Sequence, residues 1–171
     1  METLLTIASR REVRGYDGRP LPDEVARRIL DSGRLAGSAR NQQPWRFVVV
    51  ESVEARERLA GAVYVPTNVS TAGLVVGVVV PTSGLETPMD AGRCMQNMLL
   101  AAWDQGVGSC PNGFPDRPAA ARILGVREGE DVLIVLTFGY PTREAAPQRR
   151  SPDEWSGRAA RKSLDELVTR I

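Results

Sequence analysis

The sequence predicts a single domain in which helices alternate with strands, a mixed helix–sheet fold. Three observations carry this. The chain has 171 residues, which at about 150 residues per domain is one unit, long enough to enclose a sizeable core. Two β-branched runs, Leu74–Val80 and Val132–Phe138, read as central strands covered on both faces. Between them, Asp90–Gln105 carries apolar residues around most of its circumference, the pattern of a helix buried on more than one side. Neither G-x-G-x-x-G nor G-x-x-x-x-G-K-[ST] occurs anywhere, which argues against a Rossmann domain or a P-loop nucleotidase.

The elements follow in order. Leu4–Ser9 reads as a short helix leading into a basic turn. Leu21–Gly33 is a helix with Pro22 at its start, acidic Asp23 and Glu24 in its first turn and Gly33 near its exit. Its apolar Val25, Ile29 and Leu30 form one core-facing stripe. Gly37–Pro44 is polar loop, and Trp45–Val50 a buried strand. Ser52–Gly61 has helical charge spacing, with Glu54 and Arg58 at i and i+4. The Asp90–Gln105 helix, with Ala91, Cys94, Met95, Met98 and Leu99, is either the centre of the core or part of a dimer interface, and Gly106 and Gly108 end it. Ala119–Leu124 is a short helix, and Gly139 and Pro141 close the Val132 strand. Thr142–Ser156, polar and proline-containing, reads as an extended arm rather than a packed element. Ser163–Ile171 closes as a helix, with Ser163 as N-cap and Glu166 completing a capping box.

Composition narrows the function. Lys plus Arg is 22 against 21 for Asp plus Glu, a net charge of +1. That balance argues against a dedicated nucleic-acid or membrane-surface protein. Histidine is absent, which excludes Ser-His-Asp and Cys-His nucleophiles, His-ligated zinc and any imidazole acid or base. An enzyme made from this set takes its difficult chemistry from a cofactor. Cys94 and Cys110 cannot form a metal tetrad or a disulfide framework, and read as two reduced, buried thiols of a cytoplasmic protein. Arg10 and Arg11 interrupt the N-terminal apolar stretch too early for a signal peptide. The longest apolar run, Leu74–Pro81, is far short of a bilayer span. A soluble protein without a metal is expected.

Four segments carry candidate chemistry. Arg10, Arg11 and Arg14, around Glu12 and Val13, can present guanidinium forks to one phosphate, or form a solvated basic turn. Arg158, Arg161 and Lys162, the chain's only lysine, form a second cluster that could meet the first on a phosphomonoester dianion. Gly37–Trp45 concentrates amide and hydroxyl groups in Ser38, Asn41, Gln42 and Gln43, suited to the donor and acceptor edge of a heterocycle, or to local turn bonds. In Gly106–Phe114, the Asn112–Gly113 pair can turn consecutive N–H groups on one acceptor, or make a tight turn.

In combination and in order, these segments resemble the FMN-dependent nitroreductase family. The likeness runs through nearly the whole chain. It comprises R-R-x-x-R from Arg10, A-x-S-x-x-N-x-Q-P-W from Ala36, and D-x-G-x-x-x-Q-N-x-x-L-A-A from Asp90. Gly106-x-Gly108-Ser109, P-x-G-F from Pro111, F-G-Y-P from Phe138 and L-D-E-L-V from Leu164 then follow. The resemblance implies an α+β fold, a central, mainly antiparallel sheet flanked by helices, with residues 1–171 as one FMN-binding domain in an intertwined homodimer. Arg10, Arg11 and Arg14, with Arg161 or Lys162, would hold the FMN phosphate. Ser38, Arg40 and Asn41, reaching over from the partner subunit, would line the ribityl chain and ring, with Ala39 and Gln43 of the same loop beside them. Pro111, Asn112 and Gly113 would lie along the isoalloxazine, the backbone N–H groups of that segment aimed at N5 and O4.

The activity so implied is ping-pong electron transfer from NAD(P)H through flavin N5 to a nitroaromatic, quinone or enone. FMN carries the chemistry, so no side chain is assigned a catalytic role, and no nucleic acid or membrane is involved. The same resemblance extends to members that dehalogenate or fragment their substrates, and to a flavin-binding protein without turnover. Phe114 and Tyr64 are candidate stacking residues. Three departures stand out. Glu12 replaces the family's common serine, Gly37 its usual proline, and no long insertion separates the Asp90 helix from the Val132 strand, which leaves the pocket more open. A carboxylate at position 12 would repel a phosphate by about 4 kcal/mol at about 4 Å and an effective dielectric of about 20, so Glu12 must turn away or pair with an arginine.

Overall fold

The computed structural model describes every residue of the chain except Glu144. Four strands, β1 (Arg46–Val49), β2 (Leu74–Pro81), β3 (Gly108–Asn112) and β4 (Glu130–Gly139), form one antiparallel sheet in the order β1-β2-β4-β3. The two β-branched runs are neighbours at its centre, with Gly77 opposite Val135 and a register shift between Val78 and Val79. Seven residues of β2, Leu74–Val80, are buried in succession, as a strand covered on both faces requires.

Helices supply the covers. On one face lie α2 (Asp23–Arg34) and α5 (Thr87–Asp104), whose Ile29, Ala91, Cys94, Met98, Leu99 and Ala102 pack with Val76, Val78, Leu136 and Phe138. On the other lie α3 (Val53–Ala60), α4 (Pro66–Thr71) and α6 (Arg117–Ile123), whose Leu59, Val69 and Ala120 pack, with Leu124, against Val75, Val132 and Val135. Full burial of each large apolar side chain stabilises by about 1.5–3 kcal/mol. Ser52 caps α3 by accepting from the Ala55 N–H at 3.1 Å, and Asp116 caps α6 by accepting from Ala119 at 2.9 Å. Cys94 and Cys110 are free and buried, Cys94 within the first face's packing and Cys110 on β3; burial pushes the Cys94 thiol up to about 12.

The structure departs from the sequence expectations in five places. The expected buried strand Trp45–Val50 is the shorter edge strand β1, half-buried with Val49 exposed, because only β2 pairs with it. The central helix starts earlier than Asp90, at Thr87, because Pro88 can stand in a first turn, where no N–H is needed. Gly108–Asn112 is the edge strand β3, not a loop; β4 supplies its ladder. Thr142–Ser156 is not an extended arm. It contains a 3-10 turn, Pro147–Arg149, and the start of α7 (Pro152–Gly157), capped by a reciprocal Ser151–Glu154 box. The expected Ser163–Ile171 helix shrinks to α8 (Leu164–Leu167). The Ser163–Glu166 capping box forms, but Val168 is already extended and Leu164, Leu167, Val168 and Ile171 are all exposed. Without a surface for that apolar stripe, so short a helix has little to hold it.

Candidate functional site

The N-terminal helix α1 (Thr3–Ser9) stops where Arg10 takes an extended conformation. The chain then runs beside β3: Glu12 bridges Ser109, and the Val13 N–H donates to the Ser109 carbonyl at 3.0 Å. Two glycines admit this strip. A Cβ on Gly108 would sit 2.7 Å from Val13, and one on Gly139, its partner in register, 2.7 Å from the Tyr16 ring. Tyr16 is buried and donates its hydroxyl to the Thr137 carbonyl at 3.0 Å. The basic segment is thereby fixed against the end of the sheet.

A cavity of about 570 Å³ opens there, lined by Ile7, Arg10, Arg11, Glu12, Gln96 and Arg161. Residues from opposite ends of the sequence thus meet on one space, with α5 contributing Gln96. Within it, Arg10 Nη2 donates to Glu12 Oε1 at 2.6 Å. Arg10 Nη1 is buried and has no partner among the described residues, a costly state for a charged donor. Arg11 is used differently. Its Nη1 donates to the carbonyls of Ala8 (2.7 Å) and Arg10 (2.8 Å), and its Nη2 to the carbonyl of Trp155 (3.0 Å). Burial first, then the like charges of Arg161, Arg10 and Arg158, holds its guanidinium below the ordinary arginine pKa. Arg14 is exposed and lies beside the Cys110 thiol, while Lys162 is exposed; neither lines the cavity.

The loop at Ser38–Gln43 is built around α5. Asp90, 1% exposed in the first turn of that helix, accepts from the Ala39 N–H at 2.8 Å and from Arg93 at 3.4 Å. Ser38 Oγ accepts from the Gln43 N–H at 2.8 Å. Arg40, Asn41 and Gln43 all have positive φ, at 51°, 57° and 50°, strain that persists because these bonds over-determine the loop. Ser38 and Ala39 are half-buried, while Arg40, Asn41 and Gln43 are exposed. None of the five lines the basic cavity of its own chain.

At the far end of β3 stand Pro111, Asn112 and Gly113. Proline has no amide hydrogen, and Asn112 pairs with Val135 in the β3–β4 ladder, which leaves Gly113 as the backbone donor there. The Asn112 side chain is buried and spent: Oδ1 accepts from the Val65 N–H at 3.1 Å and Nδ2 donates to the Val65 carbonyl at 3.0 Å. Gly113 accepts from the Tyr64 N–H at 3.1 Å, and a Cβ on Gly113 would touch the Tyr64 ring at 3.4 Å. Tyr64 is 69% exposed. Phe114 instead packs into the second core face, with Arg117 over its ring at 5.5 Å.

Comparison with known families matches residues 7–80 and 81–140 to the Nitroreductase family. The chain belongs to the nitroreductase family. It is 32% identical over 165 residues to an Archaeoglobus fulgidus protein provisionally named NADH dehydrogenase/NAD(P)H nitroreductase, covering 89% of this chain and 95% of that one. It is 27% identical to the NADPH-flavin oxidoreductase of Vibrio harveyi, over 88% of this chain and 70% of the relative. Among solved structures, the NADPH:FMN oxidoreductase of Vibrio harveyi in complex with NAD+ superposes with a TM-score of 0.76 at 25% identity, covering 81% and 68% of the two chains. A nitroreductase family protein of Clostridium difficile superposes with a TM-score of 0.81 over 99% and 98%, at 22% identity. The antiparallel α+β fold expected of a nitroreductase is the one observed. Among the described residues no helix is long and apolar enough to cross a membrane.

Sequence reasoning singled out the arginines but missed three residues that organise them. Gln96 enters the basic cavity, Asp90 pins the strained loop, and Trp155 receives Arg11. Gln96 and Asp90 lay within the nitroreductase-like D-x-G-x-x-x-Q-N stretch, so that signal was present. Nothing in the sequence points to Trp155, which falls in a stretch that reads as an unpacked arm.

Proposed function

We propose that this chain is an FMN-dependent oxidoreductase, working as a homodimer, that passes electrons from NAD(P)H to an electron-poor acceptor such as a nitroaromatic, quinone or enone in two alternating half-reactions. As a nitroreductase it is an NAD(P)H-dependent flavin oxidoreductase. The observation that carries the reading is the meeting of Arg10, Arg11 and Arg161 on one cavity, with a buried guanidinium nitrogen of Arg10 left without a partner. A phosphomonoester supplies what that arrangement lacks, an anionic acceptor for a desolvated donor.

Bound there, FMN would supply a ring that accepts hydride at N5 and yields electrons to a second substrate. The chain's own residues would do the rest. Arg10 and Arg161 would take the phosphate directly, with Arg158 and Lys162 adding positive charge, while Arg11 would hold the wall of the cavity. Arg14, turned toward Cys110, would contribute long-range charge only. Ser38, Ala39, Arg40, Asn41 and Gln43, supplied by the partner subunit, would line the ribityl chain and ring. The Gly113 N–H would point at the ring's N5 and O4 edge, where a fixed donor stabilises negative charge, and Pro111 and Asn112 would shape that edge. Tyr64, exposed over Gly113, is the aromatic placed to cover flat ligands.

The dimer is supported by what one chain leaves open. Along α5, Met89, Arg93 and Gln96 are exposed, and nothing lies within 4 Å of a Cβ placed on Gly92. Leu4 and Ile7 on α1 are also exposed. A second copy would cover these surfaces and bring its strained loop to the cavity.

The test is spectroscopic. Purified protein loaded with FMN should be dimeric and yellow, bleach anaerobically with NADPH or NADH, and recolour on adding a nitroaromatic or quinone. A flavin-loaded protein that neither nucleotide bleaches would leave only binding. A monomer indifferent to FMN would overturn the proposal.

A further inference from the structure

We propose that the Glu12 carboxylate is a built-in competitor for the flavin phosphate, occupying Arg10 until the phosphate displaces it, so that this chain holds FMN as an exchangeable group. The inference rests on the FMN reading above and adds a mechanism for its affinity.

The cavity's cations are unequal. Arg11 is committed to three backbone carbonyls and Arg161 is exposed to water. Arg10, its side chain 11% exposed, is therefore the desolvated guanidinium best able to grip an anion. One of its two terminal nitrogens is already paired with Glu12 at 2.6 Å, and the other has nothing. The Glu12 oxygen thus sits where a phosphate oxygen would make the first half of a bidentate contact.

Retreat is possible only for the side chain. The Glu12–Ser109 bridge and the Val13 N–H bond to Ser109 pin the backbone, and the glycine at 108 lets Val13 lock in behind it. The Glu12 side chain is 39% exposed, so it can swing into solvent. An arriving phosphate must either share Arg10 with a like charge a few ångströms away or break the ion pair. Both routes penalise the phosphate and neither touches the ring. The chain should therefore discriminate FMN from riboflavin, which has the same ring and no phosphate, less than a chain without this carboxylate.

The experiment titrates FMN and riboflavin separately against the dimeric wild type, Glu12→Gln and Glu12→Ala, following quenching of flavin fluorescence, with circular dichroism confirming the fold. The expected result is that both variants bind FMN about tenfold tighter, release it more slowly, and bind riboflavin as the wild type does. In an Arg10→Gln background, Glu12→Gln should lose most of that gain, because the competition is for Arg10. Unchanged FMN affinity, or FMN and riboflavin tightening together, would overturn the proposal while leaving the flavin reading in place. Failure of every variant to bind either flavin would instead overturn the flavin reading beneath it.

Discussion

Arg11 and Trp155 stand 144 positions apart in sequence and meet twice: the guanidinium donates to the Trp155 carbonyl at 3.0 Å and lies 5.4 Å from the centre of its indole ring. Arg150 approaches the same ring at 5.0 Å, and the indole N–H donates to the Pro147 carbonyl at 2.8 Å. One tryptophan thereby fastens the C-terminal arm to the helix that leads into the basic cavity. Cation–π contact of this kind is worth about 0.5–2 kcal/mol. Trp155→Ala should lower stability by about 1–3 kcal/mol, and Tm by roughly 3–10 °C at this chain length. It should also weaken FMN more than riboflavin, as separate titrations would show. Trp155→Phe, which keeps a ring but not the N–H, should fall between. Equal loss for both flavins would mean that Arg11 has no special bearing on the phosphate end.

Asp90 restrains a loop that otherwise has little reason to keep three left-handed residues. Asp90→Ala removes the acceptor of the Ala39 N–H and should cost about 1–3 kcal/mol. Asp90→Asn retains an acceptor oxygen and should cost less. Differential scanning calorimetry gives the stability. Limited proteolysis around Arg40 reports the loop itself, and cleavage there should accelerate in the alanine variant.

Asn112 closes a side-chain clamp on both backbone groups of Val65. Asn112→Ala strands that N–H and carbonyl together, so a loss of about 2–4 kcal/mol is expected in urea unfolding. Asn112→Asp can still accept from the N–H but cannot donate to the carbonyl, and should recover only part of it. If Asn112 instead met a ligand through its side chain, stability would barely move in either variant.

Arg46 reaches Glu130 with two donors, at 2.5 and 3.2 Å, and the Arg127 N–H adds a third at 3.0 Å. The Arg46 side-chain bond first, then the Arg127 backbone bond, hold the Glu130 carboxyl down to about 2 from an ordinary 4.5. A carboxyl with its folded pKa below its unfolded one stabilises fully above the unfolded value and loses that contribution as pH falls toward the folded value. Stability should therefore decline between about pH 5 and pH 2, and Glu130→Gln should flatten that slope while changing little at pH 7 relative to pH 5. Tm measured across this range in both proteins checks it.

The fold was legible where burial leaves no choice of residue. Leu74–Val80 and the helix through Ala91, Cys94 and Met98 touch apolar neighbours on more than one side, so their patterns were nearly continuous. Gly108–Asn112 was not legible, because Gly-Ser-Cys-Pro-Asn is turn chemistry by composition. It becomes a strand only because β4 lies along one edge and the Val13 strip along the other. The C-terminal arm misled in the same way: prolines and arginines read as solvated chain until Trp155 found Arg11. At the site, the clustering of arginines could be read from their type and spacing, as could the need for Glu12 to find a cation. Which guanidinium stays free for an anion could not, since that depends on how many carbonyls the fold turns toward each.

Both cysteine thiols are shut away from water, one on α5 and one on β3. A thiol-alkylating reagent should find nothing to modify in the native protein, because attack needs an accessible thiolate. Cys94 and Cys110 would then act as two built-in clocks. Their separate labelling rates, read by mass spectrometry, would time how often each part of the molecule breathes open.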